Sequence, residues 1–229
     1  MRNIYLDYFR FSAFVLMFVY HFVISDHIFF ASGSYLQYET FYELIGSFAR
    51  NLFILTSGFS LYYSRKSFPF SKLKSRFFTL LICSLLISLF SYLLFPQYFI
   101  FNGIIHFFTF ASVVNFLFLK LPTVYKYLVF AINIVASLFI LPEISSPYLI
   151  FHILGFSGLK LSTLDFFPFL PWYNLIMLGY FTAPFIDYLN KCIPLKSNFI
   201  TKIGSKSLKA YMVHPLFLIL LFYIFRSAL

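Results

Sequence analysis

Seven stretches of about 20 apolar residues dominate the chain, at 5–25, 40–64, 76–95, 98–119, 124–142, 166–190 and 207–226. A bilayer hydrocarbon core ~30 Å thick needs about 20 such residues per helix. In lipid no water satisfies backbone N–H and C=O groups, so each spanning segment must close its own hydrogen bonds as a helix. Most of the breaks between stretches carry residues that a helix interior refuses: Ser32, Gly33 and Ser34, then Pro69, Pro96 and Pro122, then 142–147 with a proline at each end. The longest polar stretch is 190–206, with Pro194, Gly204 and four of the lysines around it. The expected fold is all-α: a polytopic membrane bundle of about seven transmembrane helices, forming a single domain over 1–229.

Composition removes the soluble alternatives. Of 229 residues, 61% are hydrophobic and 10% charged, against ~45–50% and ~25% in a soluble domain. The 37 Phe and 18 Tyr, with a net charge of +10, raise the alternative of a stacking surface for nucleic acid. Those aromatics lie inside the apolar runs, where they face lipid or fill the bundle, so no nucleic-acid partner is expected. The partner is the lipid bilayer. Cys83 and Cys192 have neither disulfide nor metal spacing. No phosphate-binding loop, nucleophile elbow, zinc-protease motif or CxxC is present; GFSG at 155–158 lacks the elbow's spacing and follows no strand pattern.

Lysine and arginine counts orient the bundle. Alternate connections hold fourteen cations against two, with Arg50 left inside a span. The amino terminus is therefore expected in the cytoplasm and the carboxyl terminus outside. Arg2 and Arg10 ahead of a short apolar run also fit a signal peptide, but Phe29, Phe30 and His21 argue for a retained helix. The apolar run 148–159 is too short to span and is expected to be re-entrant or interfacial. Spanning there would force the lysine-rich 190–206 loop outside.

Ionisable groups at membrane depth are costly and thus candidate functional residues. The first helix carries Asp7, Arg10 and His21. Arg10 and His21 fall within about 20° of one face and ~16 Å apart along the axis. Asp7 and Arg10, three apart, can neutralise one another as an interfacial anchor. Glu43 and Arg50 share a face of the second helix. Arg50 reads as an internal counter-ion for Glu43 or Asp7, or as a cation for a substrate phosphate or carboxylate.

The fourth helix is expected to present Asn102, His106 and Thr109 on one face, with His106 in the outer layer that also holds His21. Two histidines at one depth suit general-base or relay chemistry. No third ligand with metal spacing accompanies them, and no metal is expected. Asp165 followed by Pro168 is a helix start signal, and Trp172 sits at the outer interface. In the last helix Pro215 cannot donate to the Tyr211 carbonyl, which is left open to a ligand or a side chain. His214 counts to the inner half, too far from His21 for contact.

Five blocks then carry a family resemblance: Arg10 with His21, LFILTSGFS at 52–60, FIFNGIIH at 99–106, DFFPFLPW at 165–172 and IGSKSLKAYMVHP at 203–215. In this order they resemble the short bacterial form of the heparan-alpha-glucosaminide N-acetyltransferase-like family. More distantly they resemble membrane acyltransferases that O-acetylate surface glycans. The chain is shorter than the lysosomal members, lacks their luminal domain, and has Asn102 where a small residue is more usual.

The resemblance implies an integral protein of a bacterial inner membrane that moves an acetyl group from cytoplasmic acetyl-CoA to an extracytoplasmic sugar amine or hydroxyl. It implies His21 as base or acyl carrier, with His27 in reserve. Acetyl-CoA, as co-substrate, would sit with its phosphates near Arg10 and its acyl group near Arg50. His106 and Asp165 would assist catalysis, and Asn102, Trp172, Tyr211 and His214 would line the substrate path. A transporter or flippase for a small anion or glycan precursor is the rival reading, although two matching halves with paired broken helices are missing. A structural subunit without chemistry is a third.

Overall fold

The structure is a computed structural model that describes residues 3–30, 37–65, 69–94, 96, 99–158 and 163–227. The expected break at 32–34 and the cations Arg2, Lys66 and Lys160 lie outside them. The described residues form helices and no strand: α1 (Ile4–Phe30), α2 (Glu39–Ser64), α3 (Phe70–Leu94), α4 (Ile104–Lys120) and α5 (Thr123–Val135). A π-helical turn, Ala136–Ile140, extends α5. There follow α6 (Leu149–Leu154), α7 (Phe169–Thr182), α8 (Pro184–Cys192), α9 (Phe199–Gly204) and α10 (Ser207–Ser227). The protein is an all-α membrane bundle.

Among the described residues five helices are long and apolar enough to cross a membrane: Ile4–Ile28, Glu39–Ser64, Phe70–Leu94, Thr123–Ile140 and Ser207–Arg226. Their large apolar side chains point outward in number, with Leu85, Leu89, Leu93 and Phe78 exposed along α3. In water such a surface would be a liability; against lipid chains it is the solvated face. The fourth expected span is shorter than its apolar run, because α4 starts only at Ile104 and has 17 residues. Asn102 therefore stands before the helix, not on its face. The sixth is divided between α7 and α8 at Ala183, where Pro184 opens a new helix. Proline has no N–H for the ladder, and its ring displaces the carbonyl four residues back. The run at 148–159 does not span: α6 has six residues and rises only about 9 Å.

The chain divides into two compact units, residues 1–60 with 179–229, and residues 61–178. In the first unit α1 packs along α9 and α10. Gly204 permits the closest approach, since a Cβ there would overlap the backbone carbonyl of Asp7. Gly179 does the same near the end of α7, where a Cβ would overlap the Leu55 carbonyl and crowd the Gly58 Cα. Small residues at helix crossings are how membrane helices gain van der Waals contact without a hydrophobic driving force between them. Asn198 caps α9 with a reciprocal capping box to Thr201, which satisfies two orphan groups of the first turn.

In the second unit α3 and α4 lie side by side. The segment entering α7 is clamped to the segment entering α4. Phe167 N–H donates to the Asn102 carbonyl at 2.8 Å, and Asn102 Nδ2 donates back to the Phe167 carbonyl at 3.0 Å. A polar network ties α5 to α7. Asn133 Nδ2 donates to the Leu170 carbonyl and Asn174 Oδ1, and Asn174 Nδ2 donates to Ser137 Oγ.

Candidate functional site

The polar stripe of α1 meets that of α2 at two pins in the first unit. Near one end Tyr20 Oη donates to Glu43 Oε1 at 2.8 Å. Near the other Arg10 Nη2 donates to Ser60 Oγ at 2.6 Å, while its Nη1 reaches Asp7 Oδ1 at 3.2 Å. Asp7 is 1% exposed, so the expected pairing of Asp7 with Arg10 is the means by which a buried carboxylate is neutralised. Ser60 is a partner that spacing alone does not single out, although it ends the LFILTSGFS block.

Beside the Tyr20 pin, one residue further along α1, lies the contact that sequence counting excluded. His21 Nδ1 is 2.7 Å from His214 Nε2, and the rings stack with centroids 4.9 Å apart. The expectation that His214 is too far from His21 is therefore corrected. The count took both helices from one membrane edge. In the fold, Gly204, which precedes α10, abuts Asp7, already a turn into α1. The remaining offset is about 6 Å along the axis, which tilted helices and two imidazoles bridge.

The hydrogen bonds assign the ring nitrogens. His214 Nδ1 lies 2.7 Å from the Tyr211 carbonyl, which can only accept, so Nδ1 carries the proton. This is the carbonyl that Pro215 leaves open, taken here by the neighbouring side chain. With both imidazoles neutral, His214 Nε2 accepts and His21 Nδ1 donates. His21 Nε2 then presents a lone pair with no hydrogen-bond partner among the described residues. His214, 3% exposed, is walled by Phe14 edge-on at 5.8 Å, by Phe18, and by Tyr211 at 5.3 Å. Tyr211 itself meets Phe53 edge-on at 6.0 Å.

Arg50, on α2 in the same unit, donates from Nη2 to Ser47 Oγ at 3.2 Å. Its Nε and the hydroxyl of Ser57, seven residues on, are buried without a partner among the described residues. The counter-ion reading of Arg50 finds no ion pair among the described residues.

The second unit holds the other candidates. His106 Nε2 is 3.0 Å from Ser88 Oγ, whose proton goes to the Ile100 carbonyl at 2.6 Å, so the ring donates to Ser88. His106 Nδ1 is buried with no partner. Ser88 lies 18 residues upstream on α3, and no periodicity in the sequence links the two. Asp165 does not start its own helix, because α7 begins at Phe169. Its Oδ2 accepts the Ile104 N–H at 3.0 Å and so caps α4, whose preceding residue, Gly103, has no side chain to do so. Asn102 is 8% exposed and is engaged in the backbone clamp. Trp172 packs on Phe167 with centroids 4.9 Å apart. Among the described residues no group of His, Cys, Asp and Glu could hold a metal ion.

With this geometry in view, the chain matches the family described as heparan-alpha-glucosaminide N-acetyltransferase, catalytic, over residues 2–216. The chain belongs to this family. The match takes in α1 through the His214–Pro215 step, and so every candidate residue named above. No curated protein and no solved structure matches the chain. Membership in the N-acetyltransferase family identifies an integral membrane protein of the acetyltransferase kind, which is what the five blocks lead one to expect.

Proposed function

We propose that the protein transfers an acetyl group from cytoplasmic acetyl-CoA to an amine or hydroxyl of a sugar presented on the other side of the membrane. The observation that carries this reading is the His21–His214 hydrogen bond. It holds one imidazole by a second, leaves a lone pair on His21 Nε2, and sits on the helix that also bears Arg10. The arrangement has the logic of a base fixed by an orienting partner, with His214 in the orienting place.

The acceptor's nitrogen or oxygen attacks the thioester carbonyl carbon and forms the new bond to it. Its proton passes to His21 Nε2, a step worth ~10²–10⁴-fold when the base is positioned. The tetrahedral adduct collapses with rupture of the C–S bond, and the departing thiolate takes the proton back from His21. Charged acetyl-CoA stays on the cytoplasmic side, where Arg10 and neighbouring lysines attract its phosphates. Only the small acyl group needs to reach His21.

The test is consumption of acetyl-CoA by the purified protein in detergent, offered a panel of amino and neutral sugars. Thiol release that requires both a sugar and His21 supports the reading. Release that His21→Ala leaves unchanged, or none with any sugar, would sink it.

A further inference from the structure

Arg50 is a cation in the interior of a transmembrane helix with most of its hydrogen-bonding capacity unused. A guanidinium has five N–H donors, and among the described residues Arg50 donates only to Ser47 Oγ, one turn back on α2. The Nε–H is shut away from solvent and meets no acceptor. The two acidic residues on the neighbouring stripes are otherwise engaged: Asp7 with Arg10, and Glu43 with Tyr20. Removal of a cation from water is unfavourable unless an anion or several acceptors replace the lost hydration. In a helix that crosses lipid this holds with more force. Arg50 is half-buried, and its buried Nε–H still lacks an acceptor among the described residues; the group that completes it accepts hydrogen bonds and carries negative charge.

Position narrows the class further. Arg50 shares the first unit with the His21–His214 pair. The lone pair on His21 Nε2 repels an anion, while Arg50 attracts one. An acyl carbonyl approached by an amine or hydroxyl suits both, with its oxygen toward Arg50 and the acceptor's N–H or O–H toward His21, whereas a free carboxylate engages Arg50 alone. A planar carboxylate also fits the two parallel N–H groups along a guanidinium edge, which a spherical ion does not use.

We propose that Arg50 is the oxyanion and small-carboxylate site of this protein. Its N–H groups receive the acyl carbonyl oxygen during transfer and bind a free short carboxylate, such as acetate, when no thioester is present. This deepens the acyl-transfer reading and rests on it for the catalytic half. In the step, the acceptor's electron pair forms the bond to the acyl carbon and the C=O π pair moves onto oxygen beside Arg50. The acceptor's proton goes to His21 Nε2. Collapse returns the pair to the C–O bond and breaks C–S, with the proton leaving on sulfur. Arg50 donates hydrogen bonds throughout and gives up no proton. Donors pre-aimed at a developing oxyanion count for more in a dry site than in water.

The experiment has a binding arm and a turnover arm, both on the full chain in detergent. In the binding arm the melting temperature is followed with sodium acetate against sodium chloride at matched ionic strength. Acetate should raise it in wild type, less in Arg50→Lys, and no more than chloride does in Arg50→Gln. In the turnover arm acetate should compete with acetyl-CoA in wild type. Arg50→Gln should lose about 10²–10³-fold in kcat with KM for acetyl-CoA within about threefold, the pattern of a donor used in the transition state.

Equal acetate stabilisation of wild type and Arg50→Gln, with both variants folded, overturns the site. So does a wild-type kcat in Arg50→Gln. Arg50-dependent acetate binding in a protein that consumes no acetyl-CoA with any sugar would preserve the carboxylate site and remove the acyl-transfer reading, so the two failures are told apart.

Discussion

The carboxylate of Asp165 accepts a hydrogen bond from the backbone N–H of Ile104 at 3.0 Å, and so caps a helix that begins 61 residues earlier in the chain. The first four N–H groups of a helix lack partners within it, and Gly103 supplies no side chain. A Cβ at Gly103 would lie 2.6 Å from Asp165 Oδ2, so the glycine is what admits the remote cap. Asp165→Ala is expected to cost about 0.5–2 kcal/mol of stability, the worth of a lost cap, read as a lowered melting temperature. Asp165→Asn keeps an acceptor oxygen and should stay near wild type in both melting and turnover. A folded Asn variant with turnover as low as the Ala variant would return Asp165 to catalysis.

The histidine pair makes an unequal prediction. His21→Ala should abolish sugar-dependent thiol release, a loss of at least ~10²-fold, while the protein still inserts and binds acetyl-CoA. His214→Ala should lower kcat less, leaving KM for acetyl-CoA nearly unchanged, because it removes the partner and not the base. His214→Gln, which retains an acceptor for His21 Nδ1–H, should recover part of the loss. If His214→Ala instead raises KM for the sugar at full kcat, His214 belongs to the substrate path and the orienting role is wrong.

Arg10 is held by Asp7 and Ser60, yet remains 30% exposed. Arg10→Ala is expected to raise KM for acetyl-CoA several-fold while sugar affinity stays level. An unchanged KM for acetyl-CoA would leave Arg10 as the neutraliser of Asp7 alone. In that case the variant should still melt earlier, since it leaves a buried carboxylate without its cation.

Gly204 tests the packing of α1 on α9 and α10. Any side chain there collides with backbone, which cannot swing aside as a flexible side chain can. Gly204→Leu should destabilise by about 1–3 kcal/mol or more, the range for overpacked interiors, and weaken His21–His214 coupling through the shifted register. Melting equal to wild type would show that the close approach is dispensable.

The charge bias predicts topology. A reporter at the carboxyl terminus should be extracytoplasmic, and one within 191–198 cytoplasmic. Both reporters on one side would contradict a single crossing by α10 between them.

Much of this protein is determined by its sequence alone. Runs of about 20 apolar residues admit only helices in lipid, because unpaired backbone groups have no water to turn to. Prolines and glycines mark most of the ends for local steric reasons. The pairing of Asp7 with Arg10 was legible too, since residues three apart on a helix are neighbours whatever the fold. What only the tertiary structure decided is which helices meet, and at what height. Gly204 against Asp7 sets α10 higher on α1 than a count from the membrane edge allows, and that offset brings His214 to His21. Ser88 with His106, Asp165 with Ile104, and the engagement of Asn102 in a backbone clamp arise in the same way. Each depends on contacts between segments remote in sequence, and periodicity within one helix carries no information about its neighbour's register.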